Sequence, residues 1–115
     1  MTITLTREQV RRVDELAIGR YGLAGLVLME YLLRGLVRRV LILTPSSLLY
    51  QWQEEMAQKF NLHYVLSDSP EFVAAGPQAW TRFPRIVASI HMAKRTEHLK
   101  QVSSTRFDMV IVDEA

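Results

Sequence analysis

An α/β fold, with a parallel sheet flanked by helices, is what this sequence predicts, and three observations predict it. Short apolar runs rich in β-branched residues recur at "VLILT" (40–44), "HYVL" (63–66), "RIVAS" (85–89) and "FDMVIV" (107–112). Stretches of helical periodicity separate them, so strands and helices alternate as in βαβ units. The runs are nearly continuous in apolar character, as strands covered on both faces are. Composition agrees with one modest core: 115 residues, 49% hydrophobic and 23% charged, exclude a disordered chain. The net charge of +2 does not by itself argue for a nucleic-acid partner. With no cysteine there is no disulfide and no thiolate metal site, in keeping with a reducing cytosol. The opening residues interleave Arg7, Arg11, Arg12 and Arg20 with acids and show no apolar leader. The most apolar stretch, Leu23–Leu33, contains Glu30 and falls far short of the roughly 20 residues of a membrane span. The expectation is a soluble, cytoplasmic chain.

Taken in order, residues 6–21 predict an amphipathic helix. Thr6 and Gln9 form a capping box, Leu5 and Val10 a hydrophobic staple, and Val10, Val13 and Ala17 share a face. Gly22 is placed to end it. Residues 24–37 are apolar nearly all round and predict a second, buried helix. Arg34, Arg38 and Arg39 follow, either as a solvated helix end or as a nucleic-acid contact. The strand at 40–44 stops at Pro45. Ser46 or Ser47 is expected to cap a helix running to Phe60, with Leu49, Trp52, Met56 and Phe60 on one stripe. That stripe makes Trp52 a core residue, Glu55 and Lys59 are an ion pair one turn apart, and Asn61 closes the helix. Ser69 and Pro70 start a further helix and Gly76 stops it. Met92–Val102 reads as a polar, helical connection. His63, His91 and His98 show no ligand spacing; His91 and His98 are read as exposed polar residues rather than metal ligands. Met29, Met56, Met92 and Met109 read as core filler.

Ligands of open parallel sheets bind beyond the carboxyl ends of the strands. There the sequence places Thr44, Pro45 and Ser46, then Ala88 and Ser89, then Asp113 and Glu114. Hydroxyls and backbone amides suit phosphate or sugar contacts, and adjacent carboxylates suit a magnesium ion with a base that activates water. Each piece also has a plain structural reading. Thr-Pro-Ser makes a turn and helix cap, Ser89 can be loop punctuation, and Asp-Glu can be a solvated turn. Their shared edge is what unites them.

The stretch "RRVLILTPSSLLYQWQEEMAQKF" resembles motif Ia and its helix in Swi/Snf-type helicase-like ATPases of superfamily 2. "RIVASIHMAKR" resembles the next motif, and "FDMVIVDEA" resembles Walker B, which in this branch usually reads Asp-Glu-Ala-His. Order and spacing agree across residues 24–115, and the wording is most similar to bacterial members associated with RNA polymerase. The resemblance implies an incomplete RecA-like (P-loop NTPase) domain that ends at motif II, with ATP and Mg2+ as cofactors. It implies that Asp113 holds the magnesium, usually through water, and that Glu114 is the catalytic residue that orients or deprotonates the attacking water. It further implies that Thr44, Pro45, Ser46, Ala88 and Ser89 lie along the backbone of double-stranded nucleic acid, DNA in the first instance. The implied activity is ATP-driven translocation that remodels a bound complex, such as RNA polymerase in transcription.

The phosphate loop G-x-x-x-x-G-K-[ST] that such an ATPase needs is not in the sequence. Counting back from Ala24–Gly25 puts the expected Gly-Lys-Thr on Gly19-Arg20-Tyr21, where only the glycine agrees, and puts Asp14 at the loop's first glycine. Arg is a poor replacement for Lys in so tight a loop. Residues 5–30, "LTREQVRRVDELAIGRYGLAGLVLME", are instead similar to the opening of NAD(P)H-hydrate epimerases of the YjeF N-terminal type, although that family's following Asn-Ala-Gly-Arg-Gly is here "YLLRG". The two resemblances overlap on "GLVLME" (25–30). The expected organisation is an N-terminal helix of different origin at 1–23 joined to a partial helicase ATP-binding domain at 24–115. The chain alone is expected not to hydrolyse ATP well, because the phosphate loop and the second RecA-like lobe are missing. The alternatives are an epimerase-related fragment and a non-catalytic nucleic-acid-binding module.

Overall fold

In the computed structural model, which describes residues 2–6 and 19–113, every strand pairs in parallel. Strands β1 (Thr2–Leu5), β2 (Val40–Thr44), β3 (Val65–Leu66), β4 (Arg85–Ser89) and β5 (Met109–Asp113) lie in the order β1-β5-β2-β4-β3. Between them run α1 (Gly19–Leu33), α2 (Leu49–Phe60), α3 (Pro70–Ala75), α4 (Ala79–Arg82), α5 (Ile90–Lys94) and α6 (Thr96–Ser104). β2 sits at the centre, with Ile42 in register with Val87 on one side and Ile111 on the other. This is the expected α/β class, a parallel sheet flanked by helices.

Side chains alternate along each strand, and that divides the core in two. Val40, Ile42, Val87, Met109 and Ile111 pack with Leu28 of α1 and with Trp52 and Met56 of α2. Leu41, Ile86 and Ala88 meet Phe72, Trp80 and Ala93 from α3, α4 and α5. Coverage on both faces is why these strands read as unbroken apolar runs.

Several local expectations change in three dimensions. Thr2–Leu5 is a strand beyond the four expected; only its Leu5 is buried, so the run has no apolar signature. Most of the helix expected at 6–21 falls on residues 7–18, which lie outside the described residues. Its expected stop at Gly22 is not used, because α1 runs unbroken from Gly19 to Leu33. A glycine inside a helix costs only about 1 kcal/mol, and Gly25 has a use there. A Cβ on Gly25 would stand 1.9 Å from the Phe60 ring, so its absence lets α1 and α2 approach closely. α1 is apolar on all sides without being buried on all sides: Leu26 is 58% and Leu33 80% exposed. It ends in a Schellman arrangement, with Leu36 N–H donating to Tyr31 O at 2.9 Å, Gly35 N–H to Leu32 O at 3.0 Å, and Gly35 at φ +68°.

Ser46 and Ser47 do not cap α2. They form a single 3₁₀ turn with Leu48, and neither side chain bonds the helix start. Asn61 does close α2, in the left-handed conformation with φ 54°, and the Glu55–Lys59 pair forms at 2.7 Å. Ser69 caps α3 through its Oγ, which accepts from Phe72 N–H at 3.3 Å, and Gly76 at φ +64° ends that helix. The connection expected at 92–102 is two short helices broken at Arg95, whose ψ of 142° is extended. Among the described residues no helix is long and apolar enough to cross a membrane.

Candidate functional site

Neighbouring strands β5, β2 and β4 finish on Asp113, Thr44 and Ser89, and β3 is followed by Ser67. Thr44 is in register with Ser89, and the pairing of Leu43 with Val112 sets Thr44 beside Asp113. All four residues are buried, Thr44 and Asp113 completely. With adjacent strands about 4.8 Å apart, they form one polar row along the carboxyl edge of the sheet. The edge picked out in the sequence is therefore a physical one. Of the other residues placed there, Ala88 is fully buried, Pro45 half-buried and Ser46 exposed. Glu114 lies outside the described residues.

The row is held by bonds that the sequence did not announce. Ser89 N–H donates to Ser67 Oγ at 3.2 Å, and Ser89 Oγ accepts from Met92 N–H at 3.1 Å, capping α5. Trp52 is core, as its stripe requires, and it is also a donor: its indole Nε1–H reaches Asp113 Oδ2 at 3.0 Å. The Tyr21 ring stands edge-on to Trp52, with centroids 4.8 Å apart. Tyr21 occupies the position where counting places the last residue of a phosphate loop, so an aromatic pair stands between the start of α1 and the Asp113 carboxylate. Among the described residues Thr44 Oγ1 is buried without a hydrogen-bond partner. Among the described residues no group of three His, Cys, Asp or Glu side chains could hold a metal. Magnesium, however, is usually held by one or two carboxylates together with water and phosphate oxygens. The all-oxygen pair of Asp113 and the unpartnered Thr44 hydroxyl is donor chemistry that fits it.

At the opposite edge, Arg38 and Arg39 lead into β2, and Asp108 precedes β5. The Asp108 Oδ2 accepts the backbone N–H groups of Arg38 at 2.7 Å and Arg39 at 2.8 Å. Those two bonds, Arg39 first, hold its carboxyl below the usual carboxylate range, and the Arg39 charge adds to the effect. Burial pushes the Tyr64 phenol up, and its hydroxyl has no hydrogen-bond partner among the described residues. Of the histidines, His98 is not the exposed group expected. It is 7% exposed, sits on α6, and accepts at Nδ1 from Trp80 Nε1–H at 2.9 Å.

No protein-family model matches the chain. Over 102 residues, 89% of its length, it is 39% identical to a Bacillus subtilis (strain 168) protein described as uncharacterized ATP-dependent helicase YqhH. The chain spans only 17% of that relative's length. The similarity supports a helicase-like origin for this α/β unit.

Proposed function

We propose that residues 24–115 derive from the N-terminal RecA-like lobe of a Swi/Snf-type, superfamily 2 helicase-like ATPase. In the parent, this lobe takes part in ATP-driven translocation on double-stranded DNA and remodels a bound complex, of which RNA polymerase is one candidate. The observation that carries the reading is the buried row of Asp113, Thr44 and Ser89 at the tips of adjacent parallel strands, in a chain 39% identical to a helicase. Asp113 and Glu114 are the groups suited to magnesium and to the attacking water, with Thr44 Oγ1 beside Asp113. Bound magnesium would neutralise charge on the phosphate oxygens of ATP. Thr44, Pro45, Ser46, Ala88 and Ser89 line the edge along which a phosphate backbone would run. Thr44 and Ala88 are fully buried, so contacts there fall to backbone groups and to exposed Ser46.

The chain itself is not a working ATPase in this reading. The phosphate loop is missing from the sequence, and Tyr21 and Trp52 meet edge to face where its last residue would face Asp113. Calorimetric titration of the 115-residue chain with ATP tests this. No saturation into the millimolar range is expected with or without magnesium. Micromolar, magnesium-dependent binding would sink the claim of a lost phosphate loop.

A further inference from the structure

Parallel pairing puts the first residues of every strand on one side of the sheet, opposite Asp113, Thr44 and Ser89. Arginines gather there. Arg38 and Arg39 enter β2, Arg82 and Arg85 enter β4, and Arg106 precedes β5. Those strands are neighbours, so the arginines span two interstrand spacings, about 10 Å of the edge. Backbone bonds join the three entries: Arg39 O accepts from Asp108 N–H at 2.8 Å, and Pro84 O from Val40 N–H at 2.9 Å. In the segments 34–39, 61–64, 82–84 and 105–108 the single carboxylate is Asp108, which already accepts the Arg38 and Arg39 amides.

Like charges collected this way repel, and little inside the fold offsets that. Arg39 donates to Thr81 O, and Arg82 stands over the Phe83 ring at 5.7 Å. The guanidinium groups of Arg38, Arg85 and Arg106 make no hydrogen bond or ion pair among the described residues. Helix carboxyl ends attract cations, yet no helix carbonyl receives these three. Arg38 and Arg106 are exposed. The edge is apolar as well as basic. From α1 to β2 the chain reads Leu33-Arg34-Gly35-Leu36-Val37-Arg38, and the turn at Gly35 leaves Leu33 80% and Leu36 56% exposed. An apolar patch rimmed by unpaired cations is the pattern of an interaction site rather than of a solvated helix end.

We propose that this amino edge docks an acidic, leucine-bearing segment of a partner protein, a function separate from the carboxyl edge. Carboxylates of the segment accept from Arg38 and Arg106, whose forked donors match them, and its apolar side chains cover Leu33 and Leu36. Charge complementarity selects a polyanion, and the leucines decide which kind. A phosphate backbone gives them nothing to pack on. Two leucines with no aromatic residue in 33–39 are a weak hold on a lipid surface. Fluorescence anisotropy with the full 115-residue chain and a short labelled peptide of alternating Glu and Leu tests the proposal. The comparison probes are an all-Glu peptide, a Gln-Leu peptide, duplex DNA, and vesicles of phosphatidylserine and phosphatidylcholine. The Glu-Leu peptide is expected to bind at least about tenfold tighter than either control peptide. Arg38→Gln and Arg106→Gln together should weaken it by about tenfold, and Leu36→Ser by about threefold, with thermal midpoints unchanged because these side chains are exposed. Arg38→Glu with Arg106→Glu should transfer binding to a Lys-Leu peptide, which loss of folding could not do. Binding that survives the double Gln change, or a control peptide that matches the Glu-Leu one, would overturn the proposal. So would tighter binding of DNA or of vesicles through the same two arginines.

Discussion

Trp52 serves two purposes with one side chain. Its ring fills the core between α2 and the sheet, and its indole N–H holds Asp113 at 3.0 Å. A hydrogen bond to a buried carboxylate contributes about 1.5–3 kcal/mol, whereas Phe keeps most of the ring's volume. Trp52→Phe should therefore lower the unfolding free energy by about 2–3 kcal/mol in urea titrations. In an Asp113→Asn background the same change should cost at least about 1 kcal/mol less, because the partner has already lost its charge. Costs that simply add would show that the ring's packing alone matters. The sequence stripe was enough to place Trp52 in the core, since helical periodicity fixes which face a side chain occupies. It could not name a partner 61 residues away, because periodicity says nothing about what stands opposite. His98 failed for the same reason. Its polarity suggested solvent, and only the arrival of Trp80 makes its burial tolerable.

At the scale of elements, Asp108 ties the entry of β5 to the entry of β2. Its carboxylate receives Arg38 and Arg39 N–H, while Arg39 O accepts Asp108 N–H at 2.8 Å. The folded-state pKa is lowered, first by the Arg39 and then by the Arg38 amide. A depressed carboxyl contributes stability that is present above its unfolded pKa of about 3.9 and is lost as pH falls through the folded value. Asp108→Asn should therefore trail the wild type by a constant margin in urea midpoint from neutral pH down to about 4, and the margin should close below that. The site is exposed, so the margin is modest. A difference that persists undiminished in strong acid would exclude the linkage. Strands β2 and β4 were legible to the residue, being buried runs bounded by Pro45 and by the Ser89 cap. β1 and the continuity of α1 through Gly22 were not. A four-residue edge strand carries almost no pattern, and the packing of Gly25 on Phe60 overrides the local preference for a stop.

For the whole molecule, parallel pairing was legible because strands covered on both faces must be apolar throughout, but the order β1-β5-β2-β4-β3 was not. Three strand tips could be assigned to one edge from sequence. Only the order makes Asp113, Thr44 and Ser89 consecutive along it. The same order divides stability unevenly. β2 is bonded on both sides over Val40–Leu43, whereas among the described residues β1 pairs only with β5, and β3 contributes two residues bonded only to β4. Edge strands open without disturbing the covered centre, so their amides exchange through local opening and those at the centre only through global unfolding. Native-state hydrogen exchange should therefore find the slowest amides at Leu41–Leu43, with β4 and β5 close behind, and the fastest strand amides in β1 and β3. If the donors of β1 exchanged at the central rate, the Thr2–Leu5 strand would be locked into the same cooperative unit as β2. The buried Leu5 contact would then be anchoring that edge far more strongly than one side chain and four residues of pairing can explain.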